Sequence, residues 1–213
     1  MKKNRTFAIV SGVLGLALAA AIVYGAFSSR QAGPRLFSVP EEAQQRAVAL
    51  MEAACAGDLQ TVGNMMQGRP DLGQIPEDAS VAASMIWDAF VESLEYDFPG
   101  GFYASERGLA IDVHVRSLDI SSVTGGVKKR VENLLNRRVE AAEDISEIYD
   151  EKNNYREDLI LAVLREATTI ALKRDTRYQE MTIPIYLICE QSQWWVQPSQ
   201  ELLNVLSGVG TGG

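Results

Sequence analysis

One histidine, His114, occurs in 213 residues. That scarcity excludes multi-histidine metal centres and leaves little imidazole for acid–base work. Two cysteines, Cys55 and Cys189, are too few to frame a disulfide-built mini-protein. No CxxC, HExxH or Ser-His-Asp arrangement is present. Basic residues are outnumbered, 20 against 28 acidic ones, for a net charge of −8. Such a balance lacks the positive field of a general nucleic-acid binder. Disorder is excluded as well, because 46% of residues are hydrophobic and only 23% charged. The length suits one anchored domain.

No acidic residue precedes position 41. Instead Lys2, Lys3 and Arg5 lead into residues 6–27, a run of 22 without charge. A bilayer-crossing helix needs about 20 apolar residues, a signal-peptide core roughly 7–15. The length therefore favours a permanent transmembrane helix, although Ala26 and Ser28 also fit the small-residue positions of a signal-peptidase site. Three basic residues before the span against Arg30 and Arg35 after it predict a single-pass membrane protein, N-terminus in. Residues 1–5 are then cytoplasmic and the C-terminal domain extracytoplasmic. Fifteen of the 20 basic residues and all 28 acidic ones lie from Leu36 onward, a net charge of −13. That charge keeps an exported domain soluble and off anionic headgroups.

Residues 28–37 read as a linker. Ser38-Val39-Pro40-Glu41 matches a capping box and opens a helix with Ala43, Ala47, Leu50, Met51 and Ala54 on one face. Gly57 ends it, and Asp58 caps a second helix with Leu59, Val62, Met65 and Met66. A third runs over about 78–94. Residues 94–103 and 109–120 form an antiparallel hairpin. In the second run Leu109, Ile111, Val113 and Val115 point one way, Ala110, Asp112, His114 and Arg116 the other. After Asp119 a helical hairpin follows, its first helix reaching about Tyr149 and its second ending near Arg174. A strand over 178–189 has Ile183, Ile185, Leu187 and Cys189 on one face, with Pro184 marking an edge or bulge. After a turn at 190–193, Trp194-Trp195-Val196 makes the return strand. A short helix with Leu202, Leu203 and Leu206 precedes a glycine-rich tail, 208–213. This order predicts an α+β architecture, a sheet covered by helices.

Two stretches carry a family resemblance. Ala56-Gly57-Asp58, with Val62 and Met66 after it, resembles the opening of NTF2-like domains. The hydrophobic strand, polar turn and Trp194-Trp195-Val196 resemble their close. With the insert at 121–174 and the ending from Leu202-Leu203 to Gly208, residues 38–207 resemble membrane-anchored NTF2-like domains exported by Gram-positive bacteria, within the SnoaL/cystatin-like cone superfamily. The resemblance implies a curved antiparallel sheet forming a cone-shaped pocket with its helices. The inserted helical hairpin departs from the compact pattern of that family.

Asp112, His114 and Arg116 share a strand face. Into a pocket they present an imidazole with an orienting carboxylate, suited to proton transfer; on an open sheet the same alternation is a solvated face. Trp194 and Trp195 read as core or as ligand-pocket rings, and being adjacent on a strand they face opposite sides. Parity with Val196 puts Trp194 on the helix-covered side. Glu140, Glu143, Asp144, Glu147, Asp150 and Glu151 crowd the end of the first insert helix. They lack the glycine turn and interleaved Asp or Asn of a calcium loop and read as a solvated face. Cys55 and Cys189 fall on apolar faces and read as buried thiols, with a disulfide as the alternative.

The expectation is a non-enzymatic, extracytoplasmic binding module for a partner protein, peptide or envelope ligand. Asp112, His114, Arg116, Trp194 and Trp195 are its candidate ligand-binding residues. No cofactor, metal or nucleic acid is expected. Alternatives are a small pocket enzyme, an isomerase or hydrolase using Asp112 and His114, and a structural subunit of an envelope or secretion complex.

Overall fold

A computed structural model of the chain describes residues 38–72 and 81–208. The expected cytoplasmic N-terminus, transmembrane helix and linker (1–37), and the tail beyond Gly208, lie outside the described residues. Among the described residues no helix is long and apolar enough to cross a membrane.

Helix α1, Glu41–Cys55, buries Ala43, Ala47, Leu50, Met51 and Ala54, the stripe that three-and-four spacing puts on one face. The capping box expected at Ser38 does not form. Pro40 is the N-cap and no side chain caps the helix. Glu41 thereby becomes the first helical residue, two positions too early to reach back as the box requires. Gly57 (φ +71°) closes α1 in the left-handed region. Asp58 then caps α2, Leu59–Met65, its Oδ1 accepting from the Thr61 amide at 2.9 Å. Helix α3, Val81–Ser93, turns Ala82, Ile86 and Phe90 inward.

Five strands make one curled antiparallel half-barrel sheet: β1 Glu95–Asp97, β2 Tyr103–Ser105, β3 Gly108–Leu118, β4 Tyr178–Glu190 and β5 Gln193–Val196. Both β1 and β2 pair with β3. The run at 94–103, interrupted in sequence by Pro99-Gly100-Gly101, folds as β1 on one side of those residues and β2 on the other, since they weaken a ladder. β3 and β4 pair from Leu109↔Leu187 to Leu118↔Tyr178, while β5 covers only 187–190 of β4. Pro184 thus lies where β4 has no second strand beside it, so its missing N–H costs no ladder bond there.

Asp119 caps α4, Ile120–Ala141, accepting from the Ser121 and Ser122 amides. This helix stops eight residues short of Tyr149. Carboxylates from Glu140 onward would crowd the negative end of a longer helix. Two of them instead satisfy local backbone. Asp144 caps the short 3₁₀ turn Ile145–Glu147, and Asp150 accepts from the Lys152 and Asn154 amides at 2.8 Å each. Hydrogen bonds hold both carboxyls below the usual carboxylate range, chiefly from Ser146 to Asp144 and from Asn154 to Asp150. From Glu143 onward the acidic stretch is therefore an irregular connection and not a helix face.

Helix α5, Glu157–Arg174, returns alongside α4. The pairs Arg130–Asp175 and Arg138–Glu166 tie the two sides together. This hairpin packs chiefly against α3, and its Val123 and Ala171 join the core cluster. The last helix, α6, Gln200–Leu206, is capped by Ser199, whose Oγ accepts from the Leu202 amide at 3.2 Å.

Inward residues of the sheet (Ile111, Val113, Val115, Ile183, Ile185, Leu187 and Val196) join Leu50 and Met51 of α1, Phe90 of α3 and Leu202 of α6 in one core. The cysteines are both free. Cys55 is half-buried, donates to the Leu94 carbonyl at 3.4 Å, and burial pushes its thiol pKa up. Cys189 is exposed, contrary to the sequence expectation. It has core parity but sits one residue from the end of β4, beside the Gln191-Ser192 turn, where the strand leaves the core.

Candidate functional site

The pleat sorts the candidate residues. Successive strand side chains point to opposite faces, so Asp112, His114 and Arg116 lie on the outer face of β3, opposite Pro184, Thr182 and Glu180 of β4. The inner face, where a cone-shaped pocket would open, is occupied by the buried aliphatic side chains of the core. Trp195 shares the outer face through its pairing with Ile188. Trp194 does not. It pairs with Cys189, has the parity of Val196, and packs half-buried against the core. Four of the five candidate residues therefore share a surface, and the pleat removes the fifth.

On that surface each polar group has its own neighbour. Asp112 Oδ1 accepts from the Tyr103 hydroxyl at 2.8 Å. His114 Nδ1 is 3.5 Å from Thr182 Oγ1, at the limit of a hydrogen bond. No hydrogen bond joins Asp112 to His114 among the described residues, so the carboxylate does not orient the imidazole as a proton relay requires. Arg116 is the most engaged. Its guanidinium is 3.0 Å from Glu95 Oε2 and 3.6 Å from Glu180 Oε1, and lies 4.1 Å from the centre of the Tyr178 ring.

Two further arginines stack on outer-face rings: Arg107 over Tyr186 at 5.1 Å and Arg69 over Trp195 at 5.5 Å. Each such contact is worth about 0.5–1 kcal/mol at an exposed site. It also fixes a flat aromatic surface with a charge above it. Tyr103, Arg69 and Arg107 were not among the residues the sequence singled out. Tyr178 and Tyr186 share the parity of Pro184 and Thr182, so alternation along β4 contains their placement. Arg69 and Arg107 lie in turns, where no periodicity says which way a side chain folds.

Nothing in this set is a nucleophile beside a base, and no group of three or more acidic, histidine or cysteine side chains gathers to hold a metal among the described residues. The face offers aromatic planes, arginine forks and carboxylates around a centre where Ala110 and Pro184 are buried. Of these, the aromatic and arginine side chains are the ones enriched at protein interfaces. No family model, curated protein or solved structure matches this chain.

Proposed function

We propose that the protein is a membrane-anchored, extracytoplasmic binding module of the NTF2-like type, non-enzymatic, that engages a partner protein, peptide or envelope ligand through the outer face of its sheet. The uncharged run at 6–27 and its basic flank support the anchor and the orientation. The half-barrel sheet with helices on one side is consistent with the cone architecture. One observation carries the recognition role: the inner face is filled by core side chains, while the outer face presents Tyr178, Tyr186 and Trp195 with an arginine over each.

Photo-crosslinking in the native membrane tests this reading. A benzoylphenylalanine at exposed Thr182, in the centre of the outer face, is expected to yield one discrete adduct. The same group at Leu161, on the helical hairpin, is the control. An adduct at Leu161 with none at Thr182 overturns the assignment of the face.

A further inference from the structure

The second feature lies away from the sheet. Where α4 begins and the connection from α5 to β4 passes it, a cleft of about 380 Å³ opens, within the size range of small-ligand sites. Its lining includes Lys129, Arg174 and Arg177. None of the three forms an ion pair among the described residues. Two carboxylates also line it. Asp175 is paired with Arg130, whose two terminal guanidinium nitrogens donate to its two carboxylate oxygens. Asp119 is engaged as the cap of α4, accepting from Ser121 and Ser122. Three unpaired cations thus face one carboxylate. This local excess stands out in a region carrying −13 from Leu36 onward.

Gly125 is an independent sign. It lies in the second turn of a 22-residue helix, where glycine costs about 1 kcal/mol relative to alanine. Its neighbour Gly126 has a reason within the fold, since a Cβ there would collide with the Asp175 carboxylate. Gly125 has none, because a Cβ would meet nothing within 4 Å. It borders the cleft, and its bare backbone leaves room for a ligand to approach.

We propose that this cleft binds a phosphorylated ligand, its phosphate held by Lys129, Arg174 and Arg177 and its body lying against Gly125. Guanidinium forks match phosphate oxygens in bidentate geometry. The volume exceeds that of a bare phosphate, so the ligand is a phosphorylated small molecule or a phospholipid headgroup. This site is separate from the outer sheet face, and the two readings stand or fall independently.

The test is calorimetric titration of the full chain in detergent with inorganic pyrophosphate, at about 0.15 M salt so that diffuse surface fields are screened. Saturable binding is expected. Arg177→Gln should weaken it about tenfold, and Gly125→Leu, which adds a side chain at the cleft edge where a Cβ meets nothing within 4 Å, by at least as much. Lys173→Gln, one residue outside the lining, should change it less than twofold. Absence of saturable binding overturns the proposal, as does an equal loss in Lys173→Gln, which would mean a diffuse field. Melting curves accompany each variant. If Gly125→Leu unfolds, Arg177→Gln decides alone, because the Arg177 side chain is exposed and forms no ion pair among the described residues. In nanodiscs, replacing phosphatidylcholine by phosphatidylglycerol identifies the source. A tenfold drop in pyrophosphate affinity, absent in Arg177→Gln, assigns the headgroup, and an unchanged affinity assigns a free phosphorylated molecule.

Discussion

Arg130 grips Asp175 across 45 residues of sequence and also donates to the Gly126 carbonyl at 2.9 Å. This contact joins the root of α4 to the end of α5, and it leaves no room for a side chain at Gly126. Gly126→Ala should therefore cost about 1–3 kcal/mol, the usual range for overpacking. Gly125→Ala, one residue away with open space around it, should gain about 0.5–1 kcal/mol through helix propensity. Urea midpoints of the two variants should move in opposite directions; a midpoint that is unchanged or raised in Gly126→Ala would show that the glycine at 126 is not sterically required.

The adjacent tryptophans should respond differently. Trp194 packs on the core and Trp195 lies on the outer face under Arg69. A fully buried tryptophan costs about 3–5 kcal/mol on truncation. Both rings are half-buried but only Trp194 packs against the core, so Trp194→Ala is expected to cost about 2–3 kcal/mol and Trp195→Ala about 1 kcal/mol. Equal large losses in denaturant melts would mean that both faces of β5 are covered.

The β4–β5 turn carries strain that can be removed. Gln191 and Ser192 both have positive φ, at 52° and 65°, the two-residue hairpin geometry that asparagine and glycine adopt most easily. The double variant Gln191→Asn/Ser192→Gly should raise stability by about 1 kcal/mol. A thermal melt with no upward shift would place the strain elsewhere.

Asp58 predicts a pH dependence. Its carboxylate accepts from both the Thr61 hydroxyl and amide, which holds its pKa below the ordinary value. The unfolded chain then takes up the proton first as pH falls. The stabilisation is complete above the unfolded pKa of about 3.9 and is lost as pH drops through the lower folded value. Asp58→Asn keeps a capping side chain but removes the titration, so its stability should fall less steeply below pH 4 than that of the native chain. Parallel acid curves would assign the acid sensitivity to other carboxylates.

Thiol chemistry should separate the two cysteines. Exposed Cys189 should react rapidly with a maleimide, while Cys55, half-buried and with a raised pKa, should react slowly until the chain unfolds. A membrane-impermeant maleimide on intact cells also reads topology. Labelling of Cys189 is expected for an extracytoplasmic domain, and protection until lysis would reverse the orientation.

Much of this was legible from residue order alone. Period-two alternation in 109–116 placed Asp112, His114 and Arg116 on one face, and Val196 parity placed Trp194 on the other. Asp58 and Asp119 announced two helix starts, since a cap is a contact of two or three residues and lies wholly within local sequence. Core parity misled at the exposed Cys189, and two longer patterns misled as well. Ser38-Val39-Pro40-Glu41 had the letters of a capping box, but the helix began two residues later. The apolar spacing through Ile145 and Ile148 suggested a continuing helix, but carboxylates at its negative end stopped it at Ala141. Only the tertiary structure could decide what each face meets. It filled the inner face with aliphatic side chains, sent the helical hairpin to α3 rather than to the open face, and brought Arg69 and Arg107 from turns onto Trp195 and Tyr186. Periodicity says which way a side chain points along its own element. Which distant side chain closes over it depends on how elements pack across long sequence separations, and no local pattern holds that information.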